Sequence, residues 1–197
     1  MRLPTKLLLT ILLVVGVGAG ILIANGTLRP QDVTSAPERQ LPRSVTTTVT
    51  RVVDGDTIMV AAVPGVIEAT SGTAHTVRLL GVDAPEMNPE GSSEPACGAT
   101  DARTQLERLL APGTVVTLTW DARADRTDRY GRSLAYLEYQ HQGQTRDVGA
   151  HLVEWGYVSA WYPAGEPRPE RADLYEKLQS EAQRGRGSWS TCGTLGR

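Results

Sequence analysis

Five short segments rich in β-branched residues, interrupted once by a helical pattern, constrain the fold of this chain most. The turn dipeptides Asp54-Gly55 and Pro112-Gly113 bound two of them, as expected for strands that end in tight turns. The five segments read SVTTTVTRVV, DTIMVAAV, HTVRLLGV, TVVTLTW and SLAYLEYQ. We therefore predict five strands, three before the helical pattern and two after it.

Three longer segments have the hydrophobic period of amphipathic helices. One lies between the third and fourth strands, and the other two follow the fifth. Their inward residues are predicted to be Ala102, Leu106, Leu109 and Leu110, then Val148, Leu152 and Val153, and finally Leu174, Tyr175, Leu178 and Ala182. Five strands with one inserted helix are what a small closed barrel of the oligonucleotide-binding (OB) type requires. The predicted fold class is α+β: a five-stranded OB-fold-type β-barrel with three helices, preceded by an N-terminal hydrophobic helix.

The N-terminus contains an apolar segment that predicts export from the cytoplasm. Arg2 and Lys6 precede 18 uncharged residues that run from Leu7 to Ala24. This length is just sufficient for a membrane-spanning helix, and the positive charges before it predict a cytoplasmic N-terminus. A cleaved signal peptide is the alternative interpretation, because small residues occur near the end of the segment. We expect an extracytoplasmic protein, either membrane-anchored by this single helix or secreted.

Composition divides the chain into four parts. Residues 1–26 are the signal anchor or signal peptide, and residues 27–43 form a linker rich in Pro, Ser and Thr. One folded domain is predicted over residues 44–192, with a short tail at 193–197. We expect a monomer, because nothing in the sequence suggests a larger assembly.

The net charge excludes one mode of nucleic-acid binding. The chain has 20 basic and 22 acidic residues, and two of the basic residues lie in the N-terminal segment, which leaves 18 against 22. A domain this acidic does not hold nucleic acid by bulk positive charge. Phosphate binding would therefore depend on a local cluster of arginines or on a metal ion.

Cys97 and Cys192 are the two cysteines of the chain. In an exported domain an isolated pair is most often one disulfide, and two unpaired thiols are the alternative. Closing a loop of this length contributes roughly 4 to 5 kcal/mol on the chain-entropy model. The bond would attach the C-terminal tail to the loop that follows the motif RLLGVDAPE.

Three polar segments stand where predicted strands begin or end: VVDGDTI, RLLGVDAPE and DRTDRYGRSLAY. Taken singly, each has a simple structural interpretation, as a β-turn, a surface arginine with a capping aspartate, or a self-neutralising loop. Taken together, they offer two carboxylates for a hard cation such as Ca²⁺, two arginines for phosphate and a third carboxylate for water. That combination suits phosphodiester hydrolysis.

The motifs DGDT, RLLGVDAPE and DRYGRSLAY, in this order and at this separation, resemble the staphylococcal-nuclease (thermonuclease-like) family. The resemblance extends from about Ser44 to Ser190 and includes the segments GYVSAWYP and GSWS. It implies a five-stranded barrel with three helices, which agrees with the pattern analysis. It also implies a Ca²⁺-dependent enzyme that hydrolyses DNA, RNA or both with little sequence preference and leaves 3′-phosphate ends.

The resemblance assigns a metal site to the first two motifs. Asp56 and Asp83 match Ca²⁺ ligands, and the backbone carbonyl of Ala84 matches a third ligand. Asp54 and Gly55 are expected to shape the turn rather than to bind metal. A calcium site formed by three oxygen donors and water is the prediction.

The resemblance also assigns catalytic roles. Arg78 and Arg132 match the two arginines that clasp the scissile phosphate, and Glu86 matches the carboxylate beside the attacking water. Tyr130 matches a tyrosine near the terminal phosphate of the nucleotide. These four residues are therefore predicted to surround one phosphate group.

Other parts of the resemblance are less complete. Trp161 or Tyr162 in the segment AWYP is predicted to stack on a base. Ala84 stands where the best-known member has a threonine, so a hydroxyl contact is lost although the carbonyl remains. The loop MNPEGSSEPACGA contains Glu90 and Glu94 but no lysine, which puts affinity and substrate length in question more than chemistry.

Two alternatives to a nuclease remain open at this point. One is a non-catalytic oligonucleotide-binding OB-fold module, which would be expected to lack some acidic or arginine positions of the family. The positions retained in this chain are Asp56, Arg78, Asp83, Glu86 and Arg132. The other is an exported phosphodiesterase that acts on a different phosphate diester. The expected partners are DNA or RNA, and the membrane if the N-terminal segment is not cleaved.

Overall fold

Eight strands and four helices lie within residues 41–196, the part of the chain that the computed structural model describes. The strands are β1 Ser44–Val52, β2 Thr57–Ala61, β3 Ala74–Leu79, β4 Val82–Asp83, β5 Val115–Thr119, β6 Ser133–His141, β7 Gln144–Asp147 and β8 Ser159–Ala160. The helices are α1 Ala99–Leu109, α2 Val148–Glu154, α3 Ala172–Ala182 and α4 Trp189–Cys192. The predicted N-terminal helix and most of the predicted linker lie outside the described residues. Within residues 41–196, no helix has the length and apolar character needed to span a bilayer.

Five strands form the barrel, and its closure depends on a parallel pairing between β3 and β6. β1 pairs with β5 through residues 44–48 and with β2 through residues 49–52. A register irregularity between Val49 and Arg51 lets this long strand bend from one half of the barrel into the other. β2 continues to β3, β5 continues to β6, and Val77 of β3 pairs with Ser133 of β6. The predicted five-stranded barrel with an inserted helix is therefore confirmed.

Three short strands and a fourth helix were not predicted. β7 extends β6 as a hairpin, while β4 and β8 form a separate two-stranded sheet. α4 contains only 4 residues. Segments this short do not show a hydrophobic period, so pattern analysis has no signal for them.

The barrel interior is apolar because alternate residues of each strand point inwards. The strand residues that are almost fully buried include Val49, Ile58, Val60, Val77, Leu118 and Leu137. The predicted inner faces of the first two helices are correct for Ala102 and Leu106 of α1 and for Leu152 and Val153 of α2. The helices therefore cover the barrel with the faces that the sequence indicated.

The predicted inner face of α3 is wrong at Leu174, which is 46% exposed, whereas Tyr175 and Ala182 are buried. The ring of Tyr175 packs against Gly149 of α2, where an added side-chain carbon would lie 2.7 Å from the tyrosine hydroxyl. Adjacent helix residues are roughly 100° apart around the axis, so turning Tyr175 inwards turns Leu174 towards solvent.

A buried polar network joins α3 to the barrel. The Tyr136 hydroxyl of β6 donates to the Asp121 carboxylate and accepts the backbone N–H of Arg171 at 3.1 Å. Asp121 also accepts the N–H of Glu170 at 2.6 Å and that of Arg123 at 2.7 Å. Burial by itself would raise the pKa of Asp121, but these hydrogen bonds outweigh it and lower the pKa below its ordinary value. One carboxylate thus fixes the start of α3 against β6.

We expect Asp121→Asn to lower the free energy of unfolding by about 1 to 3 kcal/mol at pH 7, because an amide cannot accept all of these hydrogen bonds. Since the folded-state pKa is lowered, the carboxylate stabilises the fold above its unfolded pKa of about 3.9. That contribution is lost as the pH falls through the folded value, so the difference between the two proteins should shrink with acidification. Urea unfolding of both proteins at several pH values between neutral and acidic measures this difference in stability.

Asp125→Asn is the matched control, because Asp125 is an exposed carboxylate in the same loop. This variant should unfold like the unmodified protein at every pH. A stability difference between Asp121→Asn and the unmodified protein that does not change with pH would contradict the role given to the Asp121 charge.

The C-terminal segment is attached to the domain by a disulfide. Cys97 and Cys192 are joined, with their Cα atoms 5.6 Å apart and a sequence separation of 95. This is the pairing that the sequence indicated. Leu195 is also buried, so part of the predicted tail packs against the domain.

Candidate active site

Arg78 of β3 lies at the centre of a buried cluster of charges. Its Nε is 3.0 Å from Oδ1 of Asp56, and its Nη2 donates to Oδ1 of Asp83 at 2.9 Å. Its Nη1 donates to the carbonyls of Leu79 and Val82, both at 2.7 Å. The two aspartates that were predicted as metal ligands therefore contact the same guanidinium group.

Strand pairing explains why Asp56 reaches Arg78. Thr57, the first residue of β2, pairs with Arg78 across the antiparallel β2–β3 ladder. The carbonyl of Asp56 accepts the N–H of Leu79 at 2.8 Å, which extends the ladder by one residue. Two segments that are separate in the sequence thus meet because both belong to neighbouring barrel strands.

The turn before β2 is built by Asp54 and Gly55. The carboxylate of Asp54 accepts the N–H of Asp56 at 3.1 Å, the arrangement of an Asx-turn. A Cβ at Gly55 would lie 2.7 Å from the Cβ atoms of both Ala84 and Ala102, so only glycine fits there. Both residues therefore shape the turn, in line with the sequence prediction.

Two buried carboxylates of this cluster pair with the same guanidinium group. Burial raises the pKa of Asp56 to about 7; Arg78 opposes this shift, and the carboxylates of Asp54 and Asp83 add to it. One guanidinium group thus faces two buried carboxylates. An additional cation would stabilise the ionised form of the cluster.

Ala84 and Glu86 follow β4. The N–H of Ala84 donates to Oδ2 of Asp56 at 2.6 Å, which holds the end of β4 against the cluster. Glu86 is exposed at the start of a loop in which its carbonyl accepts the N–H of Ala96 at 2.9 Å. The role of the Glu86 carboxylate beside an attacking water stays a prediction.

Arg132 immediately precedes β6, the strand whose parallel pairing with β3 matches Leu134 to Arg78. Asp128 organises this loop: its carboxylate accepts the N–H groups of Tyr130 and Arg132 at 2.9 and 3.0 Å and pairs with Nε of Arg132 at 2.6 Å. Within residues 41–196, the Nη atoms of Arg132 make no hydrogen bond. The barrel closure thus brings Arg132 beside the strand that carries Arg78.

The predicted nucleotide-binding aromatic residues lie on two loops. Tyr130 is 68% exposed, and the Arg132 guanidinium is 5.5 Å from its ring centre. Trp161 is 37% exposed just after β8, whereas the Tyr162 hydroxyl accepts a hydrogen bond from Arg168 at 2.7 Å. Of the three, Tyr130 is thus the one placed against a predicted catalytic arginine within the described residues.

Sequence analysis missed a contact between the C-terminal segment and Asp83. Ser159 of β8 donates to the Asp83 carbonyl at 3.2 Å. A side-chain carbon at Gly196 would lie 2.8 Å from Oδ2 of Asp83 and 2.5 Å from Oγ of Ser159, so glycine permits this approach. Ser159 lies in the segment GYVSAWYP, but nothing in that segment indicates a contact with Asp83, and only the cysteine pair indicated that the C-terminal segment is attached.

The protein supplies few side-chain donors for a metal. In the part of the chain that the structure describes, no three His, Cys, Asp or Glu side chains are grouped closely enough to hold an ion. Two buried carboxylates on one guanidinium, together with backbone carbonyls, are what the cluster offers.

The fold and this cluster define an OB-fold barrel protein whose carboxylates and arginines meet beside the β3–β6 closure. The family model described as staphylococcal nuclease homologue matches residues 76–191, more than half of the chain. The chain belongs to the staphylococcal nuclease family, as the three sequence motifs indicated.

Three relatives illustrate the similarity. The uncharacterized protein MJ1439 of Methanocaldococcus jannaschii is 27% identical over 157 residues, which are 72% of this chain and 71% of that protein. The SPbeta prophage-derived endonuclease YokF of Bacillus subtilis is 32% identical over 71% of this chain and 42% of its own length. Endonuclease YncB of the same organism is 32% identical over 76% of this chain and 64% of its own length. The chain thus spans less than two thirds of either endonuclease.

Proposed function

We propose that this chain is a calcium-dependent nuclease that acts outside the cytoplasm, hydrolyses DNA, RNA or both with low sequence specificity, and leaves 3′-phosphate ends. Family membership and the similarity to the endonucleases YokF and YncB support the nuclease activity. The convergence of Asp56 and Asp83 on Arg78 is the observation that carries the proposal. The calcium requirement and the products follow from the family resemblance, and the location follows from the apolar N-terminal segment.

The donor set suits a hard divalent cation. Two buried carboxylates share one guanidinium, and burial raises the pKa of Asp56 to about 7, so a bound cation would favour the ionised form of this carboxylate. Ca²⁺ prefers carboxylate and carbonyl oxygens, so Asp56, Asp83 and the carbonyl of Ala84 would hold it with water. A bound cation of this kind polarises the phosphate and activates water.

Arg132 would supply the main transition-state contact from the protein itself. A guanidinium group donates paired hydrogen bonds to phosphate oxygens, and these strengthen as negative charge develops on them. Asp128 binds Nε of Arg132 and so fixes the orientation of the remaining nitrogens. The exposed carboxylate of Glu86 would orient or deprotonate the attacking water.

Low sequence specificity follows from the kind of contact proposed. Arginine and metal contacts to phosphate position a nucleic acid but carry no information about its bases. A base stacked on Trp161 or Tyr162 would add affinity without strong preference, because every base has an aromatic face. Cleavage at many positions is therefore expected.

A cleavage assay with and without calcium tests the proposal. The protein should cut single- or double-stranded DNA or RNA in Ca²⁺, lose activity in EGTA and recover it in excess Ca²⁺. Fragment ends should block primer extension until a phosphatase removes the 3′-phosphate. Undiminished cleavage in EGTA would contradict the calcium requirement, and oligonucleotide binding without cleavage would favour the non-catalytic module.

A further inference from the structure

A second hollow lies apart from the cluster around Arg78. It has a volume of about 440 Å³ and lies between α1, the β6–β7 hairpin and α2. Its wall includes Tyr139, His141, Arg146, His151, Glu154 and Trp155. The proposed hydrolysis uses none of these residues, so their concentration around one hollow needs a separate explanation.

Aromatic rings form much of this wall. His151 and Trp155 at the end of α2 stack with their ring centres 5.6 Å apart and their planes at 11°. Trp155 is nevertheless 54% exposed, an uncommon position for so large an aromatic side chain. Tyr139 and His141 also belong to the wall, and their ring centres are 6.1 Å apart. An exposed ring such as that of Trp155 is a surface on which nucleic-acid bases stack.

The wall of the hollow carries an exposed cation although the chain is acidic. Arg146 is exposed and forms no ion pair with any residue between 41 and 196. Glu154, the acidic residue of the wall, has Arg186 at 3.8 Å from its carboxylate. Burial lowers the pKa of His151; Glu154 opposes this shift, and Arg146 and His141 add to it. A phosphate would be stabilised beside the Arg146 guanidinium.

β6 connects this hollow to the candidate active site. Arg132 precedes the strand and His141 is its last residue, so the two residues are about 30 Å apart along the strand at a rise of about 3.3 Å per residue. A stacked single strand carries one phosphate about every 3.4 Å. A strand of roughly nine nucleotides would therefore span both places.

We propose that the hollow is a second binding site for single-stranded nucleic acid, in which Trp155 and His151 stack on a base and Arg146 binds the adjacent phosphate. A cation beside aromatic rings is the combination that binds such strands without sequence preference. The proposal rests on the proposed nuclease function, because the same strand would be held here and cut beside Arg132.

Binding without metal tests the site independently of cleavage. A labelled single-stranded oligonucleotide of about 20 nucleotides, long enough to span both places, is titrated in EDTA and followed by fluorescence anisotropy. Trp155→Ala and Arg146→Ala should each weaken binding by about tenfold. Arg103→Ala removes an exposed arginine of α1 and should bind like the unmodified chain. Equal affinity for all four proteins would overturn the proposal.

Substrate length gives a second readout. In Ca²⁺, Trp155→Ala and Arg146→Ala should raise KM for the long oligonucleotide with kcat unchanged, and should cleave a dinucleotide-sized substrate normally because it cannot reach the hollow. A chain that binds through the hollow but cleaves nothing would contradict the proposed function alone. Normal cleavage together with unaltered KM in both variants would overturn the second site alone.

Discussion

Replacing Arg132 by alanine is expected to reduce the rate of phosphodiester cleavage by about 10³-fold, which corresponds to about 4 kcal/mol of activation free energy. The Nη atoms of Arg132 make no hydrogen bond to residues 41–196, so they can donate to a phosphate without breaking contacts within the domain. Their contribution grows as negative charge develops in the transition state. The loss should therefore appear in kcat.

The fold should survive this change. The Arg132 side chain is 30% exposed and that of Asp128 is 14% exposed, so their ion pair is only partly buried. Asp128 keeps the backbone N–H groups of Tyr130 and Arg132 after the change, and the expected loss is about 1 kcal/mol or less. Circular dichroism and urea unfolding should match those of the unmodified protein. Arg129→Ala is the matched control, because Arg129 belongs to the same loop and stacks on Tyr130 from 4.8 Å. Near-normal turnover in folded Arg132→Ala would remove Arg132 from the proposed mechanism.

Replacing Arg78 by alanine is expected to have the largest effect on stability, about 3 to 5 kcal/mol of unfolding free energy, because the change removes the buried guanidinium that pairs with Asp56 and Asp83. The side chains of Arg78, Asp56 and Asp83 are 11%, 8% and 3% exposed, so solvent cannot take over the lost interactions. The carbonyls of Leu79 and Val82 would also lose their donors. Denaturant unfolding without metal measures the loss.

A second substitution separates charge from packing in this experiment. Asp56→Asn added to Arg78→Ala should recover part of the lost stability, because it removes the buried charge of Asp56 that Arg78 had paired. Arg43→Ala is the control, since the side chain of Arg43 is 64% exposed although its nitrogen lies 2.7 Å from Glu170. A loss for Arg78→Ala no greater than that of Arg43→Ala would refute the structural role of the buried guanidinium.

The two arginines were predicted to act alike, and the structure separates them. The motif RLLGVDAPE indicated that Arg78 is close to Asp83, but the sequence does not reveal that Arg78 contacts both aspartates and two carbonyls. Those contacts exist because β2 pairs with β3 and because β4 follows β3 after a short turn. Arg132 lacks such partners among the described residues because its loop lies outside the strands.

Local patterns indicated most of the fold. Alternation and β-branching identified the five barrel strands, and the helical period placed Leu106 and Leu152 inside correctly. The same reasoning failed at Leu174, because a single large ring, Tyr175, set the rotation of α3 by fitting against Gly149. Patterns describe the average face of a helix, whereas packing of particular side chains decides its exact phase.

By itself, the sequence determined which segments form the five barrel strands and the three longer helices, which family the chain belongs to and which charged residues are candidates for chemistry. Backbone propensity, hydrophobic period and motif order are local properties, so they can be read along the chain. Only the tertiary structure decided that Arg78 joins Asp56 to Asp83, that Gly196 lies against Asp83, and that Trp155 and Arg146 share a hollow. These contacts join residues from different elements, and the closure of β3 on β6 together with helix packing brings those elements together.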